Sequence, residues 1–471
     1  MADFDGLFNR YVSLYPEILE LARSGRRTLI VTHIDADGLA SGSLVFAALR
    51  RRGANIVLRA VPDLDTNAIR RLADQKYEFY FLTDLGSTLV SELDAAFNGR
   101  FLLIDHHQLS SDDMKNPRVV NAWSYGFDGG REACSSSMAY FFATSIDPRN
   151  RNLSSLAVVG AVADRQDCGP DRSLIGLNRR AMEEAQSSGF VNVARDLLFV
   201  GRETRPIHES IAATSSPFLR GLTGNRDSVL SALHSSGLPL KDRGAWRTIS
   251  SLTAEEKSKL MEVIAIKLGQ VEGATDTLAS LTGEVYTLNF EDPFTPLRDA
   301  REYATLLNAC GRMSAPAVGA SICLGDRSGA LEVATKTLLE YRLGINKALE
   351  ALSEDPTRFE QHGHLVIVKC GGVVDEKLLG PVLSILASTP IHRDKVVVGT
   401  SNSGDMELKV SARVGDSYPG NVNLGLVMRD AAERVGGVGG GHTKAAGARI
   451  SLTKEPEFSK AVEERIVESH S

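Results

Sequence analysis

Four apolar runs in the N-terminal part of the chain each end in a carboxylate, and this recurrence limits the fold more than any other feature. They are Ile30-Val-Thr-His33-Ile-Asp35-Ala-Asp37-Gly38, Phe79-Tyr-Phe-Leu-Thr-Asp84-Leu-Gly86, Leu103-Ile-Asp105-His106-His107 and Val158-Val-Gly-Ala-Val-Ala-Asp164-Arg-Gln-Asp167. Strand candidates fall at 28–32, 55–60, 79–83, 101–104 and 118–121, with helical stretches between them. The first such stretch, Leu39 to Arg51, is rich in Ala and Leu and closes at Gly53. Strands alternating with helices predict a parallel α/β sheet. Ligands of such sheets gather outside the carboxyl ends of the strands, which is where all four acidic motifs are expected.

The rest of the chain divides by pattern. Residues 6 to 24 read as an amphipathic helix with Leu7, Tyr11, Leu14, Ile18 and Leu21 on one face. The expected organisation is a catalytic α/β domain over 1–195, a mostly helical insertion over 196–300, a helical connector over 301–354 and a smaller α/β domain over 355–471. In the connector, the stretch from Leu297 reads as a helix ending near Gly311, and Ala330 to Leu352 as a second one. The last domain offers strands at His364–Lys369, Lys395–Gly399, Glu407–Val414 and Arg449–Leu452, and a helix at Leu378–Ser388.

Composition narrows the class. With 43% hydrophobic and 24% charged residues the chain reads as an ordinary globular protein. It shows no uninterrupted membrane-length apolar span. The acidic start Met1-Ala-Asp-Phe-Asp lacks the layout of a signal peptide, so a cytoplasmic location without membrane attachment is expected. The five cysteines are scattered without a Cys-x-x-Cys pair, which disfavours a zinc ribbon or a disulfide framework. A net charge of -6 argues against non-specific coating of nucleic acid and leaves a local basic groove open. The arginines at 23, 26 and 27, at 50 to 52 and at 70 and 71 read as solvated helix ends.

The chemistry follows from the ligand types. Asp35 and Asp37 lie two residues apart and can turn into one cleft. Carboxylates gathered without a cation repel one another and raise each other's pKa values, so the cluster makes sense around divalent metal. Oxygen ligands mixed with imidazole suit Mn²⁺, with Mg²⁺ or Co²⁺ as substitutes and Fe²⁺ or Zn²⁺ as further options. The supply suffices for two ions about 3.5–4 Å apart, the arrangement that activates a water against phosphorus. Taken singly, each motif also has a plainer reading: Asp-Gly as a turn, Asp84 as a helix cap, His106 and His107 as core histidines. In the C-terminal domain Gly439 to Gly441 read as a phosphate cradle, with a short helix starting at Thr443 and His442 beside it. Arg413, at a strand end, could add a guanidinium. The plainer readings there are a hairpin-like loop and a surface arginine.

With these residues named, the chain resembles the DHH phosphoesterase superfamily, and more closely the archaeal RecJ-like nucleases of the GINS-associated type. His33-Ile-Asp35-Ala-Asp37-Gly38 matches the first motif of the family, Asp84 the second, Asp105-His106-His107 the third and Asp164 the fourth. Gly439-Gly440-Gly441-His442 with Ala445-Ala-Gly447 matches the DHH-associated C-terminal domain, and Leu306-Leu-Asn-Ala-Cys-Gly-Arg312 resembles a segment typical of the archaeal group. The resemblance implies a parallel-sheet DHH domain and a smaller α/β domain clamping two Mn²⁺ ions. It implies metal ligands at His33, Asp35, Asp37, Asp84, His106 and Asp164, with Asp84 bridging. His33 and Asp35 would favour one ion, and Asp37, His106 and Asp164 the other. His107 would face the scissile phosphate, Asp105 would orient the histidines, and Arg413, Gly440, Gly441 and His442 would bind substrate.

The implied activity is hydrolysis of single-stranded DNA, and of RNA as a further substrate, to mononucleotides in replication or repair, with 5′→3′ the favoured polarity. One alternative is a replisome scaffold bound to the GINS complex or the replicative helicase, as for the eukaryotic helicase cofactor related to RecJ. Another is a phosphodiesterase of short oligoribonucleotides or cyclic dinucleotides. The intact acidic ligand set favours an enzyme.

Overall fold

Side chains buried on both faces explain the near-continuous apolar runs of the first sheet. The computed structural model describes residues 2–269, 273–404 and 406–468. Helix α1 (Phe4–Arg23) is capped by Asp3, which accepts from Gly6 N–H, and buries Leu7, Tyr11, Leu14, Ile18 and Leu21. Strands β1 (Thr28–His33), β2 (Ile56–Val61), β3 (Phe79–Thr83), β4 (Phe101–Asp105) and β5 (Val119–Asn121) form a parallel sheet in the order β2-β1-β3-β4-β5. Helices α2 (Ala36–Arg51), α3 (Thr66–Ala73) and α4 (Val90–Phe97) make the crossovers. Leu29, Val31, Leu82 and Leu103 pack with Ile69, Leu72, Leu93 and Phe97 of α3 and α4. Phe81, pointing the other way from β3, meets Phe142 at a ring separation of 5.9 Å.

The strand order changes direction between β1 and β3, a position where the carboxyl ends of strands open a crevice. The register brings Thr32 level with Thr83, and Thr83 level with Ile104. The next residues along the three strands, His33, Asp84 and Asp105, therefore emerge in one row.

After β5 the chain turns helical, with α5 (Ser135–Ile146), α6 (Ser154–Ala163) and α7 (Gly176–Ser187). This corrects one expectation. The fourth apolar run is not a strand, and Asp164 caps the C-terminus of α6. The run is almost wholly buried, and a helix apolar all round carries no 3.6-residue signal to separate it from a buried strand.

The region expected as a helical insertion holds α8 (Ile207–Ala213), α9 (Arg226–Ser236), α10 (Ala254–Leu268) and α11 (Ala274–Ser280). A small hairpin of β7 (Lys241–Asp242) and β8 (Ala245–Trp246) lies among them. β6 (Val191–Leu197) and β9 (Thr282–Leu288) flank the region as an antiparallel pair. Helices α12 (Ala300–Arg312), α13 (Pro316–Cys323) and α14 (Gly329–Glu354) follow.

The C-terminal sheet contains β10 (Phe359–His362), β11 (Leu365–Lys369), β12 (Val396–Asn402), β13 (Glu407–Val414), β14 (Val438–Gly441) and β15 (Ala445–Ser451). Its order is β10-β11-β12-β13-β15-β14, with only β11 and β12 parallel. Helices α15 (Leu379–Ser388), α16 (Leu424–Arg434) and α17 (Glu455–Glu468) accompany it. Val396, Val398, Val410, Met428, Phe458 and Val462 fill its core. A second expectation fails here, because no helix starts at Thr443. Ala446, Ala448 and Ile450 are buried while the residues between them are not, so the segment has period two and pairs as a strand.

The chain packs as two units, one of residues 1–210, 236–263 and 278–338, the other of 211–235, 264–277 and 339–471. All five cysteines are free thiols, and four are buried. Among the described residues no helix is long and apolar enough to cross a membrane.

Candidate metal centre

The first unit gathers every acidic motif residue at the carboxyl edge of its sheet. His33 ends β1, Asp84 follows β3, Asp105 ends β4, Asp35 caps α2 and Asp37 lies in its first turn. Among the described residues three overlapping donor groups result, His33 with Asp35 and Asp84, Asp37 with His106 and Asp164, and Asp84 with Asp105, His106 and His107, the ligand atoms of each lying within 4.8 Å of one another. Asp84 faces the first two. Its Oδ2 is 3.7 Å from His33 Nδ1, and its Oδ1 is 3.3 Å from His106 Nε2. His106 Nε2 is also 3.3 Å from Asp164 Oδ2 and 4.0 Å from Asp37 Oδ2. Asp84 has φ +64°, a left-handed conformation that aspartate tolerates better than most residues.

Exposure separates a floor from a rim. The side chains of Asp37, Asp84, Asp105 and His106 are 0–3% exposed, while those of His33, Asp35, His107 and Asp164 are 21–33% exposed. A ligand therefore meets the second set first.

Asp37, His106 and Asp105 are held from outside the motifs. Asp37 accepts from the backbone N–H groups of Ser135 (2.8 Å) and Ser136 (2.9 Å), at the N-terminus of α5. That helix end favours an anion. The Ser136 hydroxyl also donates to Asp37. Helix α6 crosses so close that a Cβ on Gly160 would run into Ser136 Oγ and Asp37 Oδ1. His106 Nδ1 lies 2.5 Å from the carbonyl of Gly129. A carbonyl only accepts, so Nδ1 keeps its proton, and Nε2, which carries a proton toward the carboxylates, is the nitrogen left to bind a metal once that proton is displaced. Gln166 donates to the same carbonyl (2.9 Å) and is itself held by Asn178 (2.6 Å).

Asp105 serves the neighbouring histidines. Its Oδ1 lies 2.8 Å from His107 Nδ1 and accepts the His106 N–H at 2.8 Å, and Ser87 donates to its other oxygen at 2.7 Å. On the opposite side of the motif row, Asn308 of α12 accepts from Ala36 N–H at 3.0 Å. One turn on, Gly311 sits so close to the Ile34 carbonyl that any side chain there would overlap it. The segment Leu306–Arg312 thus braces the His33–Asp35 corner.

Sequence reasoning missed Ser135, Ser136, Gly129, Gln166 and Asn178. The capping box of Cys134 and Ser137 that starts α5 departs from the usual Ser/Thr-x-x-Glu/Gln pattern and so left no clear mark. Backbone donors and a carbonyl leave no further signature in the sequence.

The electrostatics suit cations. Burial and the neighbouring Asp84 push the Asp37 carboxyl up to about 7. Burial and Asp37 push Asp164 well up too. At Asp35 and Asp105 burial acts the same way, but His33 and His107 outweigh it and hold both below the usual carboxylate range. His33 and His106 are held protonated against burial, His33 chiefly by Asp35 and His106 by Asp84 and Asp164. The cluster thus retains protons where divalent ions would neutralise it, and its mixed carboxylate and imidazole donors fit such ions.

In the second unit Arg413 Nε donates to Ser384 Oγ at 2.9 Å and its Nη1 to Ser411 Oγ at 3.0 Å and to Ala412 O at 2.7 Å. It is anchored rather than free in solvent. Gly440 and Gly441 lie in β14, and His442 opens the turn into β15, where its N–H donates to Ala445 O at 2.8 Å. Without a helix at Thr443 there is no helix dipole at this glycine cluster.

Comparison with known proteins agrees with this fold. Residues 27–162 match the DHH family N-terminal domain, 198–278 the DHH-CID domain and 363–468 the DHHA1 domain. An uncharacterised protein of Methanocaldococcus jannaschii is 28% identical over 446 residues, covering 93% of each chain. RecJ of Thermus thermophilus, crystallised with Mn²⁺ and separately with Mg²⁺, shares the fold. In the Mn²⁺ complex the TM-score is 0.57 at 16% identity, covering 96% of this chain and 54% of that one, so this chain spans about half of that RecJ. CDC45 of Entamoeba histolytica superposes with a TM-score of 0.67 at 10% identity, covering 98% of this chain and 99% of that one.

Proposed function

The chain belongs to the DHH phosphoesterase superfamily with a RecJ-like fold, and on that premise we propose that it is a metal-dependent exonuclease releasing mononucleotides from single-stranded DNA, with RNA as a further substrate and 5′→3′ as its polarity. The observation that carries this reading is Asp84, in the buried floor, facing two donor groups at once beside a partly exposed His107.

His33 and Asp35 would hold one divalent ion, Asp37, His106 and Asp164 another, and Asp84 both, with Mn²⁺ first and Mg²⁺ or Co²⁺ in its place. When bound, such ions supply a nucleophile at neutral pH and charge stabilisation for displacement at phosphorus. The residues do the positioning. The Gly129 carbonyl and Gln166 fix the His106 tautomer, and the α5 N-terminus fixes the Asp37 carboxylate. Asp105 takes Nδ1 of His107 as a partner, so Nε2 is the ring nitrogen that would meet a phosphate oxygen. In the second unit Arg413, Gly440, Gly441 and His442 are the proposed substrate-binding residues.

A single-stranded oligonucleotide, DNA and then RNA, labelled separately at each end and incubated with Mn²⁺ beside an Asp84→Ala control, tests the reading. Immediate release of a labelled mononucleotide from one end, absent in the control, supports it and gives the polarity. No cleavage of either polymer with any divalent metal would sink it.

A second reading is favoured by the DHH-CID match and the CDC45-like fold over nearly the whole chain. In it the protein is a replisome scaffold for GINS or the replicative helicase. If wild type cleaves strands and Asp105→Ala does not, scaffolding is not the sole role, whereas a pure scaffold has no activity for that substitution to remove. Turnover confined to short oligoribonucleotides or cyclic dinucleotides would move the substrate class instead.

A further inference from the structure

Arg165 follows Asp164, a rim residue of the cluster, and among the described residues nothing holds its side chain. The N–H of Asp164 donates to Gly160 O, and the chain leaves α6 through Arg165, whose N–H donates to Val162 O. Arg165 has φ +56°, the left-handed conformation that a helix end usually gives to glycine or asparagine. A residue with a Cβ is strained there.

The neighbours in this segment turn inward. Asp164 faces His106, Gln166 donates to the Gly129 carbonyl, and Asp167 takes the guanidinium groups of Arg172 and Arg301 at 2.9 and 2.7 Å. The backbone at Arg165 is therefore fixed from both sides. Its own side chain is exposed, and among the described residues its guanidinium has no hydrogen bond or ion pair. A long cation is held in strained backbone, one peptide bond from a partly exposed donor, and is not consumed by any internal partner.

We propose that Arg165 is a substrate-binding residue that grips a phosphate oxygen of the anion presented to this cluster. The inference rests on the phosphoesterase reading above and adds to it a residue outside the acidic motifs. A planar guanidinium matches two phosphate oxygens in one plane. An anion approaching a carboxylate-rich rim gains from a cation that no carboxylate has captured. Strain kept at such a place is intelligible if the side chain is needed there.

Arg165→Gly removes strain and cation together, and Arg165→Lys keeps the charge but not the fork. Both would be compared with wild type as Mn²⁺-loaded full-length protein. The first readout is the rise in unfolding midpoint produced by inorganic phosphate, and the second is KM and kcat on a single-stranded oligonucleotide. Arg165→Gly should unfold at a higher temperature than wild type without phosphate and keep its Mn²⁺-dependent shift. It should need about tenfold more phosphate and show a KM raised about tenfold with kcat little changed, as expected for loss of one charge-assisted pair. Arg165→Lys should fall between the two.

Equal phosphate dependence in wild type and Arg165→Gly would overturn the proposal. So would a wild-type midpoint indifferent to phosphate, or loss of the Mn²⁺ shift in Arg165→Gly, which would make Arg165 a prop for the metal loop. If phosphate binding weakens in Arg165→Gly while wild type cleaves no strand, the exonuclease reading falls and Arg165 remains a phosphate contact.

Discussion

Replacing Gly160 by alanine tests whether the metal centre depends on the close crossing of α6 over Asp37. Alanine inside a helix ordinarily stabilises by about 0.5–1 kcal/mol over glycine. Here the added methyl would overlap Ser136 Oγ and Asp37 Oδ1 and lie 2.7 Å from Ser136 Cβ. Ser136 could rotate away, but Asp37 is pinned by two backbone N–H groups and cannot yield without giving one up. Overpacking costs about 1–3 kcal/mol, and a lost hydrogen bond to a buried carboxylate about 1.5–3 kcal/mol. Set against the helix gain, Gly160→Ala should destabilise by about 1.5–5.5 kcal/mol, lowering the unfolding midpoint by several degrees. The displaced carboxylate should also weaken Mn²⁺ binding, and each tenfold loss of affinity removes about 1.4 kcal/mol of metal-dependent stabilisation. Adding Ser136→Ala removes the hydroxyl but leaves the clash with Asp37, so only part of the loss should return. Urea unfolding with and without Mn²⁺, beside Gly329→Ala, where a methyl would meet nothing, measures both effects. A Gly160→Ala protein as stable as wild type or more so, with an unchanged Mn²⁺ response, would refute the reasoning.

Three further outcomes follow from the same geometry. Asp84→Ala should remove Mn²⁺-dependent stabilisation and all metal-dependent hydrolysis, because one side chain faces two donor groups; residual metal-dependent turnover near wild-type rate would count against a shared ligand. Gln166→Ala should weaken metal binding about 10–100-fold without loss of fold, since it leaves the Gly129 carbonyl to orient His106 alone, and a metal titration showing wild-type affinity would contradict this. Metal-free protein should lose stability as pH rises from about 4 to about 7. The native Asp37 carboxyl sits at about 7, above its ordinary value, so in that window the folded state binds more protons than the unfolded state and the slope is negative. Urea midpoints in chelator should therefore fall less steeply for Asp37→Asn than for wild type, and identical slopes would exclude Asp37 as the source.

The strands of the first sheet were legible because burial on both faces leaves apolar runs with sharp ends. The sequence places β3 at 79–83 and β4 at 101–104, and the structure has them at Phe79–Thr83 and Phe101–Asp105. The motif residues were legible because they emerge where those runs stop. The same logic misled at Asp164, where a run of similar length is a helix whose whole surface is covered, so that hydrophobicity loses its period. It misled again at Thr443, where glycines suggested a cradle although the buried alternation of Ala446, Ala448 and Ile450 was there to be read as a strand. What no local pattern could supply is the support of the site. Asp37 is held by N–H groups 98 and 99 residues away, and His106 by a carbonyl 23 residues on. These are contacts of backbone atoms, identical in every residue, and only the folded chain says which of them arrive. The distinction has a consequence for altering the protein. Donor residues can be chosen for substitution from the sequence, but the sites that set their geometry, Gly160 and Gln166 among them, become visible only once α5, α6 and the Gly129 turn are in place.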